Sequence, residues 1–242
     1  MKPYQIIKVF PGIFTLGNLF CGFLAVTNAA GGMYVKAAWW IIIAGVLDAL
    51  DGKIARLTDS ASEFGIQFDS IADVVSFGVA PAVLFYFYIL SEAGGLGYIL
   101  AFAYLASGAV RLARFNTHAT TVKKRNFSGM PIPSGGGIIA SYILFSENVW
   151  AGIGNFDIAV VIILLASMAM VSNFKYSLMP KIGFSTSRDI LRSVWFISHI
   201  LLIIRFPDEV FFPTGILYLF SGPAKYITAP AFEHVFHKVN SR

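Results

Sequence analysis

Apolar runs of about 17 to 25 residues, the length that crosses a bilayer as a helix, recur from one end of this chain to the other. They fall at Pro11–Ala30, Tyr34–Leu57, Ser62–Leu90, Leu96–Asn116, Pro131–Phe145, Phe156–Asn173, Ser187–Arg205 and Val210–Ala229, and several are shortened by Gly or Pro. This pattern predicts an all-α, polytopic membrane bundle of about eight transmembrane helices. Pro81 and Pro133 are expected to kink their helices, and Ser134 with Gly135, Gly136 and Gly137 to let a neighbouring helix come close. The longest polar connections, near Thr117–Met130 and Lys175–Ser187, are too short to fold alone, so residues 1–242 read as one membrane-embedded domain.

One stretch breaks the apolar pattern. From Asp48 to Asp73 the chain reads DALDGKIARLTDSASEFGIQFDSIAD. A carboxylate at mid-membrane costs roughly 3 kcal/mol on insertion scales, so Asp48, Asp51, Asp69 and Asp73 require a polar cavity with bound cations. Asp48 and Asp51 are spaced i,i+3 and Asp69 and Asp73 i,i+4, which puts each pair on one face of its helix. The spacing predicts two facing carboxylate pairs. Gly52 and Ala55 share the face of Asp48, and Gly65 precedes Asp69 by one turn, leaving room for a ligand backbone or phosphate. Between the pairs, Ser60 and Glu63 fit a capping box that would start the second helix. Oxygen donors without nearby His or Cys select a hard cation, Mg²⁺ or Mn²⁺. Two such divalent ions can clamp a diphosphate and stabilise the oxygen that leaves in an in-line displacement. A salt-bridge network with Lys53 and Arg56 is the structural alternative, but two cations do not neutralise four carboxylates.

Composition agrees with the membrane reading. The chain has 242 residues, 57% hydrophobic and 13% charged, with a mean hydropathy of +0.71. The net charge of +5 could suggest nucleic acid as a partner. The basic residues, however, are confined to short loops and termini, which suits anionic lipid instead. Lys2 and Lys8, Lys53 and Arg56, the cluster Arg111, Arg114, Lys123, Lys124 and Arg125, then Lys175, Lys181 and Arg188, and finally Lys238 and Arg242 mark one side. Glu92, Glu147, Asp157, Asp208 and Glu209 mark the other, with only Lys36 and Arg205 dissenting. Both termini and the aspartate cavity are thereby expected to face the cytoplasm. The sequon at Asn126–Ser128 falls on that side and is read as chance. The first apolar run lacks a cleavage pattern and is read as a retained helix. Cys21, the single cysteine, reads as a small buried hydrophobe.

The spacing D-x2-D-G-x2-A-R-x8-G-x3-D-x3-D is met by Asp48, Asp51, Gly52, Ala55, Arg56, Gly65, Asp69 and Asp73 and resembles the signature of the CDP-alcohol phosphatidyltransferases. The resemblance implies an integral membrane enzyme that moves a phosphatidyl group from CDP-diacylglycerol to an alcohol and releases CMP. It implies that the first three aspartates act mainly as metal ligands, that Asp73 is the general base, and that Arg56 holds the donor diphosphate. It also admits a homodimer. Further stretches, GNLFCG at Gly17–Gly22, FDSIADVVSFGVAPA at Phe68–Ala82, RLARFN at Arg111–Asn116 and GMPIPSGGG at Gly129–Gly137, resemble the membrane-embedded phosphatidylserine synthase branch of that family. That likeness implies L-serine as acceptor and phosphatidylserine as product.

A serine site needs a cation for the carboxylate, and Arg111 and Arg114, i,i+3 on one helix face, suit it in type and depth. The alternative is that both are positive-inside anchors snorkelling to headgroups. Thr15 and Asn18 in the first helix are candidates to touch cytidine or a donor phosphate, or else to glue helices together. No Cys or paired His lies near the aspartates to carry a phosphatidyl group, which favours a single direct displacement. Glycerol 3-phosphate or inositol phosphate is the alternative acceptor, with Lys123, Lys124 and Arg125 as extra cations. A cation-coupled transporter would also hold intramembrane acids, but all four aspartates sit in one hairpin with no counterpart in the second half. The last three helices carry no recognisable motif.

Overall fold

A computed structural model describes residues 3–57, 62–121, 129–150, 152, 154–176 and 186–239. Among them the elements are helical, without a β-strand: α1 (Pro3–Ala30), α2 (Tyr34–Leu57), α3 (Glu63–Asp73), a π-helical segment (Val74–Val79), α4 (Ala80–Tyr88), a 3₁₀ turn (Leu90–Ala93), α5 (Gly95–Thr121), α6 (Ile132–Val149), α7 (Phe156–Val171), α8 (Ser187–Arg205) and α9 (Pro207–Val239). Gly12–Ala30, Glu63–Tyr88 and Gly95–Thr117 are long and apolar enough to cross a membrane. They show large apolar side chains on their outer faces, among them Leu16, Phe20 and Phe23 on α1 and Tyr98, Ile99 and Phe102 on α5. The protein is an integral membrane protein. Lipid rather than water covers such faces.

The helix boundaries have local causes. Gly32, at φ 75°, ends α1 in a conformation that only glycine adopts readily, while Met33 N–H closes on the Asn28 carbonyl at 2.9 Å. The start of α3 differs from the expected capping box. Ser62, not Ser60, is the N-cap, and its hydroxyl accepts from Gly65 N–H at 3.0 Å, leaving Glu63 in the first turn. Ser60 itself lies outside the described residues. Asn155 caps α7 through Ile158 N–H, and Thr186 caps α8 through Asp189 N–H. Pro133 kinks nothing, because it sits in the first turn of α6, where its missing N–H has no intrahelical partner to lose.

The third apolar run is not one regular helix. Directly after Asp73 the ladder widens to a π-helix, with Ala80 N–H bonded to the Val75 carbonyl. Pro81 follows and has no N–H to offer the Phe77 carbonyl one turn back. The buried Tyr104 hydroxyl donates to that carbonyl from α5 at 2.9 Å instead. On the opposite side the Ser76 hydroxyl donates to the Asn18 carbonyl of α1 at 2.9 Å. Gly22 permits this approach, since a Cβ there would stand 2.8 Å from Ser76 Cα. Helix α6 lies in the middle, against α2, the π segment, α4 and α9. A Cβ on its Gly136 would be tightly placed, 3.3 Å from Phe77 Cα. The expected close approach at the glycine run is therefore found. Cys21 is buried in the same core.

Candidate active site

Helices α2 and α3 form the hairpin that carries the aspartates, and the π segment and α1 set its depth. One oxygen from each of Asp48, Asp69 and Asp73 lies within 4.8 Å of the others. At an effective dielectric of about 20, two carboxylate charges at that separation repel by roughly 3 kcal/mol, so three together ask for a counter-cation. Asp73 is buried and receives the Asn18 side-chain N–H on Oδ1 at 3.3 Å. The second pair is split. Asp51, also buried, accepts a hydrogen bond from the Thr15 hydroxyl and stands outside the three-carboxylate group, though within electrostatic range of Asp69. The geometry is thus three converging carboxylates with a fourth behind them rather than two symmetrical pairs.

The oxygen set fits a hard divalent cation. The donors are carboxylates, and Asn18, fully buried, leaves its Oδ1 without a hydrogen-bond partner beside Asp73. A buried amide oxygen without a donor is costly unless a ligand or ion supplies one. Gly52 and Ala55 are partly buried on the same helix as Asp48 and Asp51, and Gly65 lies at the mouth of α3 as part of its cap. Asn116 of α5 donates to the Ser70 hydroxyl at 2.9 Å, so α3 is tied from both sides. Lys53 is exposed. The side chain of Arg56 lies outside the described residues, as do Lys123, Lys124, Arg125 and the sequon Asn126–Ser128.

The two arginines of α5 part company. Arg111 is partly buried, over the Phe115 ring at 5.4 Å, and lies in electrostatic range of Asp73, Asp48 and Tyr218. Arg114 points elsewhere and donates to the Val171 carbonyl at 2.9 Å, capping the C-terminus of α7. The sequence reading did not single out Tyr218, which lies in electrostatic range of Arg111. An aromatic residue within an apolar run carries no signal that distinguishes it from lipid-facing or core neighbours.

The family model for the CDP-alcohol phosphatidyltransferases matches residues 8–174. The chain belongs to that family. It is similar to proteins named CDP-diacylglycerol–serine O-phosphatidyltransferase. One from Helicobacter pylori strain 26695 is 33% identical over 222 residues, covering 91% of this chain and 89% of that protein. Another from Methanocaldococcus jannaschii is 31% identical over 214 residues, 88% of this chain and 92% of its own. A third from Bacillus subtilis is 37% identical over 126 residues, covering 52% and 70% respectively.

Proposed function

We infer that this protein transfers the phosphatidyl group of CDP-diacylglycerol to the hydroxyl of L-serine, giving phosphatidylserine and CMP. The observation that carries the chemistry is the convergence of Asp48, Asp69 and Asp73 beside Arg111. The names of relatives matching most of the chain support serine as the acceptor. Asp48, Asp69 and Asp73, with Asp51 behind them, would hold two divalent ions, Mg²⁺ or Mn²⁺, which supply charge neutralisation at the donor diphosphate when bound.

The chain's own groups do the rest. Asn18 holds one oxygen of Asp73, leaving the other to take the proton from the serine hydroxyl. The serine oxygen forms a bond to the diacylglycerol-linked phosphorus, and the bond from that phosphorus to the CMP oxygen breaks, its electron pair leaving with CMP. Thr15 fixes Asp51, and Arg56, one turn beyond Gly52, is assigned to the donor diphosphate. Gly52, Ala55 and Gly65 leave space for the donor. Arg111 attracts the serine carboxylate. Arg114, spent on the Val171 carbonyl, serves the fold.

The remaining assignments rest on charge and hydropathy. The long helices make about eight membrane crossings within a single domain, both termini and the cavity face the cytoplasm, and soluble CMP and serine are exchanged there. The further partners are membrane lipid and, by family resemblance, a second copy of the chain. The test is CMP release from CDP-diacylglycerol in detergent with Mg²⁺ or Mn²⁺, comparing L-serine with glycerol 3-phosphate, inositol and inositol phosphate. Release with serine alone is expected. Release only with another alcohol would remove the serine assignment while keeping the aspartate chemistry.

A further inference from the structure

Helix α1 meets the aspartate hairpin and the π segment along one stripe, Thr15, Asn18 and Gly22, spaced i, i+3, i+7. Thr15 and Asn18 are buried and each reaches a carboxylate, Thr15 that of Asp51 and Asn18 that of Asp73. Gly22 instead lies against Ser76, three residues beyond Asp73, where a Cβ would stand 2.4 Å from the serine hydroxyl oxygen. Ser76 is fully buried, and its hydroxyl donates back to the main-chain carbonyl of Asn18 at 2.9 Å. Asp73 and Ser76 therefore hold one residue of α1 from two sides. The carboxylate takes the amide side chain, and the hydroxyl takes the backbone.

The side-chain bond is long. At 3.3 Å, Asn18 Nδ2 to Asp73 Oδ1 lies at the far end of the N–H···O range, and a retreat of α1 by a few tenths of an ångström would break it. The Oδ1 of the same amide is buried without a hydrogen-bond partner, so no hydrogen bond on its other side holds the side chain in place. The distance is left to the main chain, which the Ser76 hydroxyl ties at Asn18 to the segment that follows Asp73. We propose that Ser76 is a positioning residue for the transfer reaction: its hydroxyl holds α1 at the distance from which Asn18 keeps one oxygen of Asp73 occupied and the other turned to the acceptor hydroxyl. The proposal rests on the reading of Asp73 as general base, and it holds for any alcohol acceptor. It also accounts for glycine at position 22, since a side chain there would push Ser76 off the Asn18 carbonyl. Tyr104 provides a contrast within the same π segment, because its hydroxyl donates at 2.9 Å to the carbonyl of the next residue, Phe77, from the side opposite α1.

The experiment uses the full chain in detergent, with L-serine or whichever of the tested alcohols releases CMP from CDP-diacylglycerol. Ser76→Ala should lower kcat about 3- to 10-fold and Asn18→Ala about 10- to 100-fold, the loss of a neutral and of a charge-assisted hydrogen bond respectively, with the acceptor KM little changed. In Ser76→Ala, Mn²⁺ binding read by electron paramagnetic resonance and CDP-diacylglycerol binding should stay at their wild-type values. Tyr104→Phe removes a hydroxyl from contact with the same segment and should lower the melting temperature comparably while leaving kcat unchanged. In the Asn18→Ala background, Ser76→Ala should have no further effect on kcat, because the hydroxyl acts through that amide. Equal kcat losses in Ser76→Ala and Tyr104→Phe, or losses that multiply in the double variant, would make Ser76 a packing element of the π segment and overturn the proposal, as would an unchanged kcat in Ser76→Ala. Asp73→Asn with wild-type turnover would instead overturn the base reading on which the proposal rests.

Discussion

The α2–α3 hairpin and the α6–α9 pair are put together by different means. In the hairpin every chemically active group follows from local spacing: Asp48 and Asp51 on one helix face, Asp69 and Asp73 on the next, and a short capped turn between. In the α6–α9 pair the contacts join residues far apart in sequence, Gly215 with Ile138 of α6 and Leu219 and Gly222 with Tyr176. They meet because Gly215 and Gly222 carry no side chain that would hold α9 away from Ile138 and Tyr176. The difference teaches that the acidic cluster is built from a local motif, whereas the packing of the helices behind it depends on contacts between residues distant in sequence.

The largest expected effects lie in the hairpin. Chelation with EDTA should abolish CMP release, and Mn²⁺ or Mg²⁺ should restore it. Asp48→Asn and Asp69→Asn should each weaken Mn²⁺ binding, read directly by electron paramagnetic resonance of the free ion. Retention of full activity under chelation would remove the cation from the reading. Asp73→Asn should lower kcat by about 10²- to 10⁴-fold, the usual contribution of a general base, with CDP-diacylglycerol binding largely retained. A parallel loss of donor binding would make Asp73 chiefly a ligand.

The two arginines sharpen the comparison further. Arg111→Gln should raise the serine KM by about 10- to 100-fold, because it removes a charge-assisted contact from the acceptor. Arg114→Gln should leave that KM unchanged and cost about 1 kcal/mol of stability through the Val171 carbonyl. Equal KM shifts from both would return Arg114 to the pocket. The scaffold contacts act on stability rather than on substrate binding. Tyr104→Phe leaves the Phe77 carbonyl without its donor and should destabilise by about 1–3 kcal/mol. Gly22→Ala forces α1 away from Ser76 at a cost of about 1–3 kcal/mol. Thermal unfolding in detergent measures both, and a Gly22→Ala protein as stable as wild type would show that α1 can shift freely.

Much of this architecture was legible beforehand. The apolar runs anticipated the long helices to within a few residues over α2, α7 and α8, since helix length and hydropathy are properties of contiguous chain. The ends of α1, α5 and α9 extend beyond the runs because helices continue past the apolar region with polar residues. The π segment was not legible. Its widening depends on Tyr104 and Asn18 arriving from other helices to meet the groups released around Ser76, Phe77 and Pro81. The unequal fates of Asp51 and Asp73 were hidden for a similar reason, as Thr15 and Asn18 each take one of them.

The sequence by itself determined the class of molecule, the placement of four carboxylates on two adjacent helices and the kind of cation their oxygens accept. These follow from composition, period and donor chemistry within a short span of chain. Only the tertiary structure decided which three carboxylates converge, that Arg111 and not Arg114 lies in electrostatic range of them, and that Gly215 brings α9 against Ile138 of α6. Those are matters of distance between separate helices, and glycine contacts and hydrogen bonds across the bundle set that distance.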